Sequence, residues 1–431
     1  MSLTSSAAFF RGFILLSYGI KVKMSTSTAP SRNALNEPNP MDSPSMAEDS
    51  DQLISCPPLK WGILGGGRVA NDFVQALKLV PSTEVVAVAT RSVESAAAFA
   101  EKHKIGVFYG KYDELLTDND VEIVYVGNVH VFRLEIGTKV LNAGKNLLLE
   151  KPFALCHEDA KQLVDLAREK NLFCAEGMWT RYFPAVEKAR QAIESGKIGT
   201  VVDVASDFHF DSTDSEAFPT SPLYNPKLAG GSAYYLAPYP ISAATMCYKS
   251  MELQKISAVG LFDKSLGVDL QGTVGLKFLP NVVEGEEKKE EEGKRGETSS
   301  SLNVAAMGGT ASLSFGFLAE TEEVTKITGT KGRITIESPA HCPISVTIEE
   351  KAEGRGGKGL KVTHTFPLPS ESDEIYQSGG YYYPNSAGFC YEAAAIARQI
   401  AAGKTESAQF SLDETLLSML ILDEARLQMQ Q

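Results

Sequence analysis

The chain has 431 residues, 43% of them hydrophobic, and its 41 basic and 54 acidic side chains give a net charge of −13. This length suggests two or three domains with enough core to need neither disulfides nor metals for stability. The acidic balance argues against a nucleic-acid partner, because lysine and arginine supply most of the affinity for phosphate backbones.

The sequence carries weak signals for membranes, redox chemistry and metals. No stretch approaches the roughly 20 apolar residues that a membrane span requires, so we expect no membrane partner. The 6 cysteines are scattered without Cys-x-x-Cys spacing. That spread favours reduced thiols and a cytoplasmic protein. The histidines show no paired ligand spacing, and we therefore predict no metal site.

Two polar segments are predicted to lie outside the folded domains. Residues 1–58 read as a disordered extension, although the first 36 residues hold basic but no acidic side chains around a short apolar run. An organelle-targeting segment is therefore the alternative, with Met24 as a second candidate start. A highly charged segment at about 281–302 lies between two strand-like runs and predicts a disordered loop.

From residue 59 onward, apolar strands alternate with amphipathic helices. The predicted strands are 60–64, 84–89, 121–126 and 146–149, and the helices between them are 68–79, 93–103 and 134–142. Near-continuous apolar strands separated by helices predict a parallel sheet covered on both faces. We expect a doubly wound Rossmann domain over 59–180.

The second half changes character, because strand-like runs follow one another with few helices between them. After helices at 160–170 and 185–194, the predicted strands are 201–208, 272–278, 311–317, 323–327, 333–337 and 344–349, and helices 387–402 and 412–428 close the chain. This order predicts an α+β domain over 181–431 with an open, mainly antiparallel sheet. The overall fold class is α/β.

A glycine-rich turn joins the first predicted strand to the first helix. Its residues are Gly65-Gly66-Gly67-Arg68-Val69-Ala70. In this context Gly65 permits a tight turn, Gly67 allows a diphosphate to approach the backbone, and Ala70 allows close packing of helix on strand. We predict that residues 65–69 bind a dinucleotide; an ordinary glycine-rich turn is the alternative.

The end of the second strand indicates which dinucleotide is bound. Proteins that bind NAD place an acid there for the ribose 2′-hydroxyl, whereas this chain has no carboxylate before Glu94. Arg91 and Ser92 suit a 2′-phosphate instead, so NADP is favoured over NAD. The alternative for Arg91 is an ordinary surface residue.

Lys151 follows the strand at 146–149, where ligands bind in doubly wound sheets. The segments WGILGGGRVA (61–70), AVATRS (87–92) and AGKNLLLEKP (143–152) resemble the glucose-fructose oxidoreductase and inositol dehydrogenase family. Further segments at 109–116, 176–184 and 383–392 are similar to its branch of dihydrodiol and NADP-dependent D-xylose dehydrogenases.

The resemblance implies a catalytic pair. The family's lysine, Lys151 here, lies beside the nicotinamide and the reacting hydroxyl, and the family's tyrosine aligns with Tyr239. Lys151 would act as the base or stabilise an alkoxide, and a phenol beside its ammonium would lose a proton more readily. The neighbouring Asn128 and Glu150 are expected to contact the cofactor.

The chain departs from the family at two substrate-holding positions, and Ala237 also replaces a family glycine. Tyr235 replaces an aspartate and Arg133 replaces a histidine, both of which help to hold substrate in the family. Tyr235 and the nearby His130 are therefore candidate substrate contacts. The family motif also suggests that Trp179 and Arg181 line the substrate pocket, with a core position for the tryptophan as the alternative.

These features predict an NADP-dependent oxidoreductase that acts on a sugar, a polyol or a cyclic vicinal diol. The rival is a catalytically impaired NADP-binding sensor or scaffold, which the two departures support. A one-sided sheet would expose apolar area, so we expect a homodimer through the second domain. Residues 381–383, three consecutive tyrosines, are predicted to pack in a loop or interface, with substrate stacking as the alternative.

Overall fold

The structure of the protein is a computed structural model that describes residues 50–213, 218–281, 308–352, 359–370 and 373–431. The predicted extension up to residue 49 and most of the predicted acidic loop lie outside these residues. Among the described residues, no helix combines the length and apolar character of a transmembrane segment.

The first half of the described chain alternates strands and helices as predicted. Its strands are β1 (Leu59–Leu64), β2 (Thr83–Ala89), β3 (Val107–Tyr109), β4 (Ile123–Val126), β5 (Asn146–Glu150) and β6 (Cys174–Gly177). Its helices are α1 (Ser50–Leu53), α2 (Arg68–Leu77), α3 (Val93–His103), α4 (Tyr112–Leu116), α5 (Arg133–Asn142), α6 (His157–Lys170) and α7 (Pro184–Glu194).

The six strands form one parallel sheet in the order β3-β2-β1-β4-β5-β6. The predicted Rossmann sheet is therefore confirmed. The winding direction reverses between β1 and β4, and in such sheets a ligand crevice opens at the carboxyl ends of those strands. β6 escaped prediction because it is short and lacks branched side chains, so pairing with β5 rather than its own pattern specifies it.

The second half builds a larger sheet. Its strands are β7 (Val201–His209), β8 (Met251–Asp263), β9 (Val268–Pro280), β10 (Gly309–Gly316), β11 (Thr325–Gly329), β12 (Gly332–Ile336), β13 (Ser345–Glu350) and β14 (Lys361–Thr365). Its helices are α8 (Ser232–Leu236), α9 (Pro238–Cys247), α10 (Asp373–Gln377), α11 (Phe389–Ala401) and α12 (Leu412–Met429).

The strand order is β14-β13-β12-β11-β7-β10-β9-β8, and every pair is antiparallel except β7 with β10. The prediction of a mainly antiparallel second sheet is confirmed. β8 was not predicted because few of its side chains are buried, which removes the apolar signal.

Helices pack on one face of this sheet, and on the other, which we call the open face, described side chains are exposed. Along β9, Val274, Leu276 and Phe278 are buried, whereas the alternating Thr273 and Lys277 are exposed. Other exposed side chains of the open face are mostly hydroxylated or basic: Ser257, Thr310, Ser312, Lys326 and Thr328. The face is therefore less apolar than expected from a one-sided sheet.

The described fold begins before the predicted boundary at residue 59. Leu53 and Ile54 are buried, and the Arg398 guanidinium donates a hydrogen bond to the Leu53 carbonyl at 3.0 Å. These contacts tie residues 50–58 to the folded part, although their polar composition had assigned them to the disordered extension. Two apolar anchors are too short a pattern for a sequence rule to detect.

Candidate active site

The glycine turn leaves the start of α2 open. Gly65 has a φ of +106°, and a Cβ there would lie 2.9 Å from Asn128 Oδ1, so this close approach requires glycine. No described atom lies within 4 Å of a Cβ built on Gly67, and no described side chain caps α2. The first N–H groups of α2 therefore fit the diphosphate of a dinucleotide.

The end of β2 carries an exposed cation and is not followed directly by an acid. Arg91 is exposed, and no carboxylate precedes Glu94 after the strand. Ser92, predicted to contact the cofactor, uses its Oγ to accept a hydrogen bond from the Ser95 N–H at 3.2 Å and so caps α3. Serine is a preferred N-cap residue, a role that the sequence analysis did not consider.

Lys151 lies at the carboxyl end of β5 beside the second domain. Its Nζ donates a hydrogen bond to the Tyr235 carbonyl at 2.7 Å and lies 4.5 Å from the centre of the Tyr239 ring. Burial lowers the pKa of Lys151 to about 8, while the Glu150 carboxylate acts in the opposite direction. An amine with this pKa can gain or lose a proton near neutral pH.

Tyr239 faces Lys151 with its ring rather than its hydroxyl. Its hydroxyl accepts a hydrogen bond from Trp179 Nε1 at 3.3 Å. Burial raises the pKa of Tyr239 well above its ordinary value. The expected ease of deprotonation beside an ammonium is therefore wrong for this arrangement, and Tyr239 is a neutral phenol near pH 7.

Glu150 is buried instead of facing the crevice. Its carboxylate accepts hydrogen bonds from the Tyr125 hydroxyl at 2.9 Å and from the Lys151 backbone N–H at 3.2 Å. Burial raises the pKa of Glu150, and the charges of Arg133 and Lys151 lower it. The contact expected with the cofactor is thus replaced by contacts that fix the backbone of Lys151.

Arg133 ties the ends of β4 and β5 together. Its Nε and Nη2 donate hydrogen bonds to the Asn128 carbonyl at 3.2 and 3.1 Å, and its Nη1 donates one to the Pro152 carbonyl. Burial lowers its pKa to about 10, so the guanidinium stays charged near neutral pH. Arg133 therefore supports the turn that carries Lys151.

His130 and Tyr235 differ in exposure. His130 is buried, with its Nε2 2.9 Å from the Ala229 carbonyl. Burial lowers its pKa to about 3, so the imidazole is neutral and Nε2 donates to that carbonyl. Tyr235 is partly exposed and lies edge-on to His130, with ring centres 5.1 Å apart. Of these two candidates, only Tyr235 has a partly exposed side chain.

Trp179 and Arg181 are both buried. The Trp179 ring stacks on Phe389 with centres 4.3 Å apart. Arg181 is only 3% exposed, and its Nη1 and Nη2 each donate to Glu414 Oε1 at 3.1 Å. Arg181 therefore forms a buried ion pair with Glu414, and Trp179 contacts the Tyr239 hydroxyl.

A series of aromatic contacts connects Tyr239 to Tyr235. Ring centres are 5.3 Å apart for Tyr239 and Phe208, 6.4 Å for Phe208 and Phe210, 5.3 Å for Phe210 and Phe317, and 6.3 Å for Phe317 and Tyr235. All but Phe317 are partly exposed. We call these five residues the aromatic series; such rings suit a flat, weakly polar ligand surface.

A buried acid that the sequence analysis missed lies behind the turn that follows β5. Glu176, in β6, accepts a hydrogen bond from the Phe153 N–H at 3.2 Å. Burial raises its pKa to about 7, while the charge of Arg133 lowers it. The only signal for it in the sequence is an acid inside the run Cys174–Gly177, which is too short and too weakly apolar to be predicted as a strand.

One group of candidate metal ligands occurs among the described residues, formed by Cys156, Glu158 and Asp423 at the start of α6. There Asp423 Oδ2 accepts a hydrogen bond from the His157 N–H at 2.6 Å. This carboxylate satisfies a free N–H of the helix, and we assign the group no metal.

The fold and the crevice define the class of protein, an oxidoreductase with a dinucleotide-binding Rossmann domain. Residues 59–178 match the family described as an oxidoreductase family with NAD-binding Rossmann fold, GFO_IDH_MocA. Residues 186–335 match the GFO/IDH/MocA C-terminal domain.

Named relatives match most of the chain. Trans-1,2-dihydrobenzene-1,2-diol dehydrogenase of Sus scrofa is 32% identical over 370 residues, which cover 85% of this chain and 96% of the relative. The enzyme of the same name from Danio rerio is 31% identical over 374 residues, covering 86% of this chain and 96% of the relative. The chain therefore belongs to the GFO/IDH/MocA oxidoreductase family.

Solved structures share the fold. Levoglucosan dehydrogenase in complex with NADH and levoglucosan matches with a TM-score of 0.68 and 19% identity, covering 86% of this chain and 97% of that one. KijD10, a 3-ketoreductase from Actinomadura kijaniata in complex with NADP and TDP-benzene, matches with a TM-score of 0.65 and 21% identity, covering 86% and 98%. The predictions of family, fold and oxidoreductase class are confirmed.

Proposed function

We propose that the protein is an NADP-dependent dehydrogenase that oxidises one carbinol of a cyclic vicinal diol or a sugar. The observation that carries this proposal is the convergence of Lys151 and Tyr239 at the end of β5. The relatives' name refers to a cyclic diol, and the structural neighbour levoglucosan dehydrogenase is named for a sugar. A carbinol flanked by a second hydroxyl is common to both.

The end of β2 supports NADP as the cofactor. The exposed Arg91 offers a planar cation for a 2′-phosphate, and no carboxylate there repels one. The structural neighbours include one protein with NADP and one with NADH, so this choice rests on Arg91. The glycine turn at 65–67 holds the diphosphate at the start of α2.

The proton of the alcohol is transferred to Lys151. A pKa of about 8 leaves a useful fraction of neutral amine at neutral pH, and more of it above pH 8. A nicotinamide held in this crevice would supply the acceptor for the hydride of the carbinol carbon. The Tyr239 ring lies against the amine, and its phenol keeps its proton near neutral pH, so Tyr239 positions Lys151 and does not act as a second base.

The aromatic series favours a cyclic diol over an open polyol. Its partly exposed rings present apolar faces, on which one side of a ring-shaped diol packs. Tyr235 replaces the family aspartate there with a phenol, which reduces the charge available to bind a highly hydroxylated sugar. We therefore expect higher kcat/KM for cyclohexene or cyclohexane diols than for aldoses.

The rival function is an NADP-binding sensor or scaffold without turnover. It is favoured by the two departures, Tyr235 and Arg133. The contacts of Arg133 weigh against it, because they hold the turn that carries Lys151 and so supply a support that a non-catalytic site would not need.

A cytoplasmic homodimer is part of the proposal, with an organelle as the alternative if residues 1–36 target the chain. The open face of the second sheet carries exposed Val259 (71%) and Leu261 (56%) on its edge strand β8. A second copy that covers this face would bury both side chains. A monomer in size-exclusion chromatography at micromolar concentration would contradict this part.

The decisive experiment mixes the purified protein with NADP⁺ and a panel of cyclic diols, inositols and aldoses and follows formation of reduced cofactor. We expect turnover that Lys151→Met lowers about 10²–10⁴-fold, as for loss of a general base. The exposed Lys161 on α6 gives the matched control, and Lys161→Met should retain wild-type rates.

The pH dependence separates the two roles of Lys151. A base must be unprotonated, so kcat/KM for oxidation should rise with pH and level off above about 8. A lysine that acts only through its positive charge would give the opposite slope. Tight NADP⁺ binding with no turnover on any member of the panel would favour the sensor.

A further inference from the structure

A segment near the end of the chain is bonded to the helix that begins the dinucleotide site. We call residues 378–386, which include three consecutive tyrosines, the tyrosine strap. Asp72, fully buried in the second turn of α2, accepts hydrogen bonds from the backbone N–H of Tyr382 at 2.9 Å and of Tyr383 at 2.9 Å. The Ser386 hydroxyl also donates to Asp72, at 2.7 Å.

Two more polar side chains of α2 bind the same strap. Asn71 Nδ2 donates to the Gly380 carbonyl at 3.1 Å, and Gln75 Nε2 donates to the same carbonyl at 3.2 Å. Both side chains are buried. A surface helix normally turns its polar side chains to water. Here the strap covers these side chains, so it packs as an integral part of the dinucleotide-binding domain against α2.

Tyr382 lies between two cations. Arg68, the first residue of α2, has its guanidinium carbon 5.6 Å from the centre of the Tyr382 ring, and Lys102 Nζ lies 5.4 Å from it. The ring is 54% exposed. Contacts of this length are attractive between a cation and an aromatic face, so Tyr382 helps to hold Arg68 at the glycine turn.

Tyr383 lies beside the start of α2, because its backbone N–H donates to Asp72 and the ring of its neighbour Tyr382 lies against Arg68. Partial burial raises its pKa, the charge of Arg68 lowers it, and the charges of Asp72 and Glu150 raise it. Arg68 marks the start of α2, and Glu150 the end of β5. The side chain is 45% exposed while its backbone is fixed by Asp72. The backbone of an exposed tyrosine is thus fixed on α2, the helix whose start would receive a dinucleotide.

We propose that the tyrosine strap forms a wall of the dinucleotide site, in which the Tyr383 hydroxyl donates a hydrogen bond to the ribose–phosphate part of the cofactor's nicotinamide half. Tyr382 supports the wall by holding Arg68 toward the diphosphate. This proposal rests on the proposed NADP dependence and adds a binding group that comes from the opposite end of the chain. Neither loop packing nor substrate stacking alone describes these tyrosines.

Titration calorimetry with NADP⁺ and no substrate tests the wall directly. Tyr383→Phe removes one hydroxyl and should raise the dissociation constant about 10-fold, as for a hydrogen bond to a charged acceptor. Tyr376→Phe is the matched control, because Tyr376 in α10 is 67% exposed and close in sequence. Its dissociation constant should equal that of the wild type.

Chemical footprinting on the wild-type protein keeps the test independent of how the variants fold. NADP⁺ should protect Tyr383 from nitration and leave Tyr376 reactive. Equal dissociation constants for wild type and Tyr383→Phe, or unchanged nitration of Tyr383 at saturating NADP⁺, would overturn the wall while leaving the cofactor assignment intact. A wild-type protein that binds neither NADP⁺ nor NAD⁺ would overturn the proposed function itself.

Discussion

The two sides of the crevice differ in how their groups are fixed. On the loop side, residues 65–69, the expected ligand contacts are backbone N–H groups at a strand–turn–helix junction, and the structure has that junction. On the opposite, substrate side, the side chains of four residues were expected to contact substrate. Three of them, His130, Trp179 and Arg181, are buried in protein contacts, and Tyr235 alone of the four is partly exposed.

The difference arises because a backbone turn is determined by neighbouring residues, whereas the placement of a long side chain depends on residues far away in the sequence. A glycine turn depends on residues next to one another, because backbone conformation is set locally. The direction of a long side chain depends on which partner neutralises or packs it. For Arg181 that partner is Glu414, which lies 233 positions further along the chain.

The largest effect is expected from breaking the buried ion pair between Arg181 and Glu414. Arg181→Met leaves Glu414 as a buried carboxylate without its guanidinium, and removing one partner of a buried ion pair typically costs about 3–5 kcal/mol. We expect a loss of that size in the free energy of unfolding, measured by urea denaturation. A substrate contact would instead change KM and leave stability intact.

The double variant Arg181→Met/Glu414→Leu is the control for this prediction. It removes both charges, so most of the lost stability should return. A single variant as stable as the wild type, with a raised KM, would show that Arg181 does reach the substrate and would erase the contrast between the two sides.

The sequence predicted the parallel sheet and the glycine turn because their signals are repeated or local. It missed β8, whose side chains are largely unburied, and the strap on Asp72, which joins residues some 310 positions apart. Asn71, Asp72 and Gln75 were a signal, because these polar residues alternate with the apolar residues of α2 and would need a partner once buried. Nothing in the residues around Arg181 indicated that its side chain would be buried and paired with Glu414.

An intermediate effect is expected at the dinucleotide site, from Arg91 after β2. Arg91→Gln removes the cation expected at the 2′-phosphate, and a hydrogen bond to a charged group contributes about 1.5–3 kcal/mol. The dissociation constant for NADP⁺ should therefore rise about 10- to 100-fold in calorimetry. Because NAD⁺ lacks the 2′-phosphate, its binding to the same variant is the internal control and should be unchanged. Equal weakening of both cofactors would reject Arg91 as the selective residue.

The smallest effect is expected from Glu176, the buried acid behind the turn that carries Lys151. The pKa of Glu176 is raised to about 7 in the folded protein from an ordinary value near 4.5, so the folded state holds this proton more tightly than the unfolded chain. Stability from this group is therefore lost as pH rises from about 4.5 through 7. Glu176→Gln should stabilise the protein by roughly 1–3 kcal/mol at pH 8 and much less at pH 5.

Unfolding curves at both pH values measure this difference, with the exposed Glu169→Gln on α6 as the matched control that should show none. A gain in stability at pH 8 accompanied by slower turnover would place Glu176 among the groups that hold Lys151 in its working state. A loss of stability at both pH values would instead mean that the carboxylate is ionised and needed by Arg133. The turn after β5 would then depend on a charge pair between residues far apart in the sequence, as Arg181 depends on Glu414.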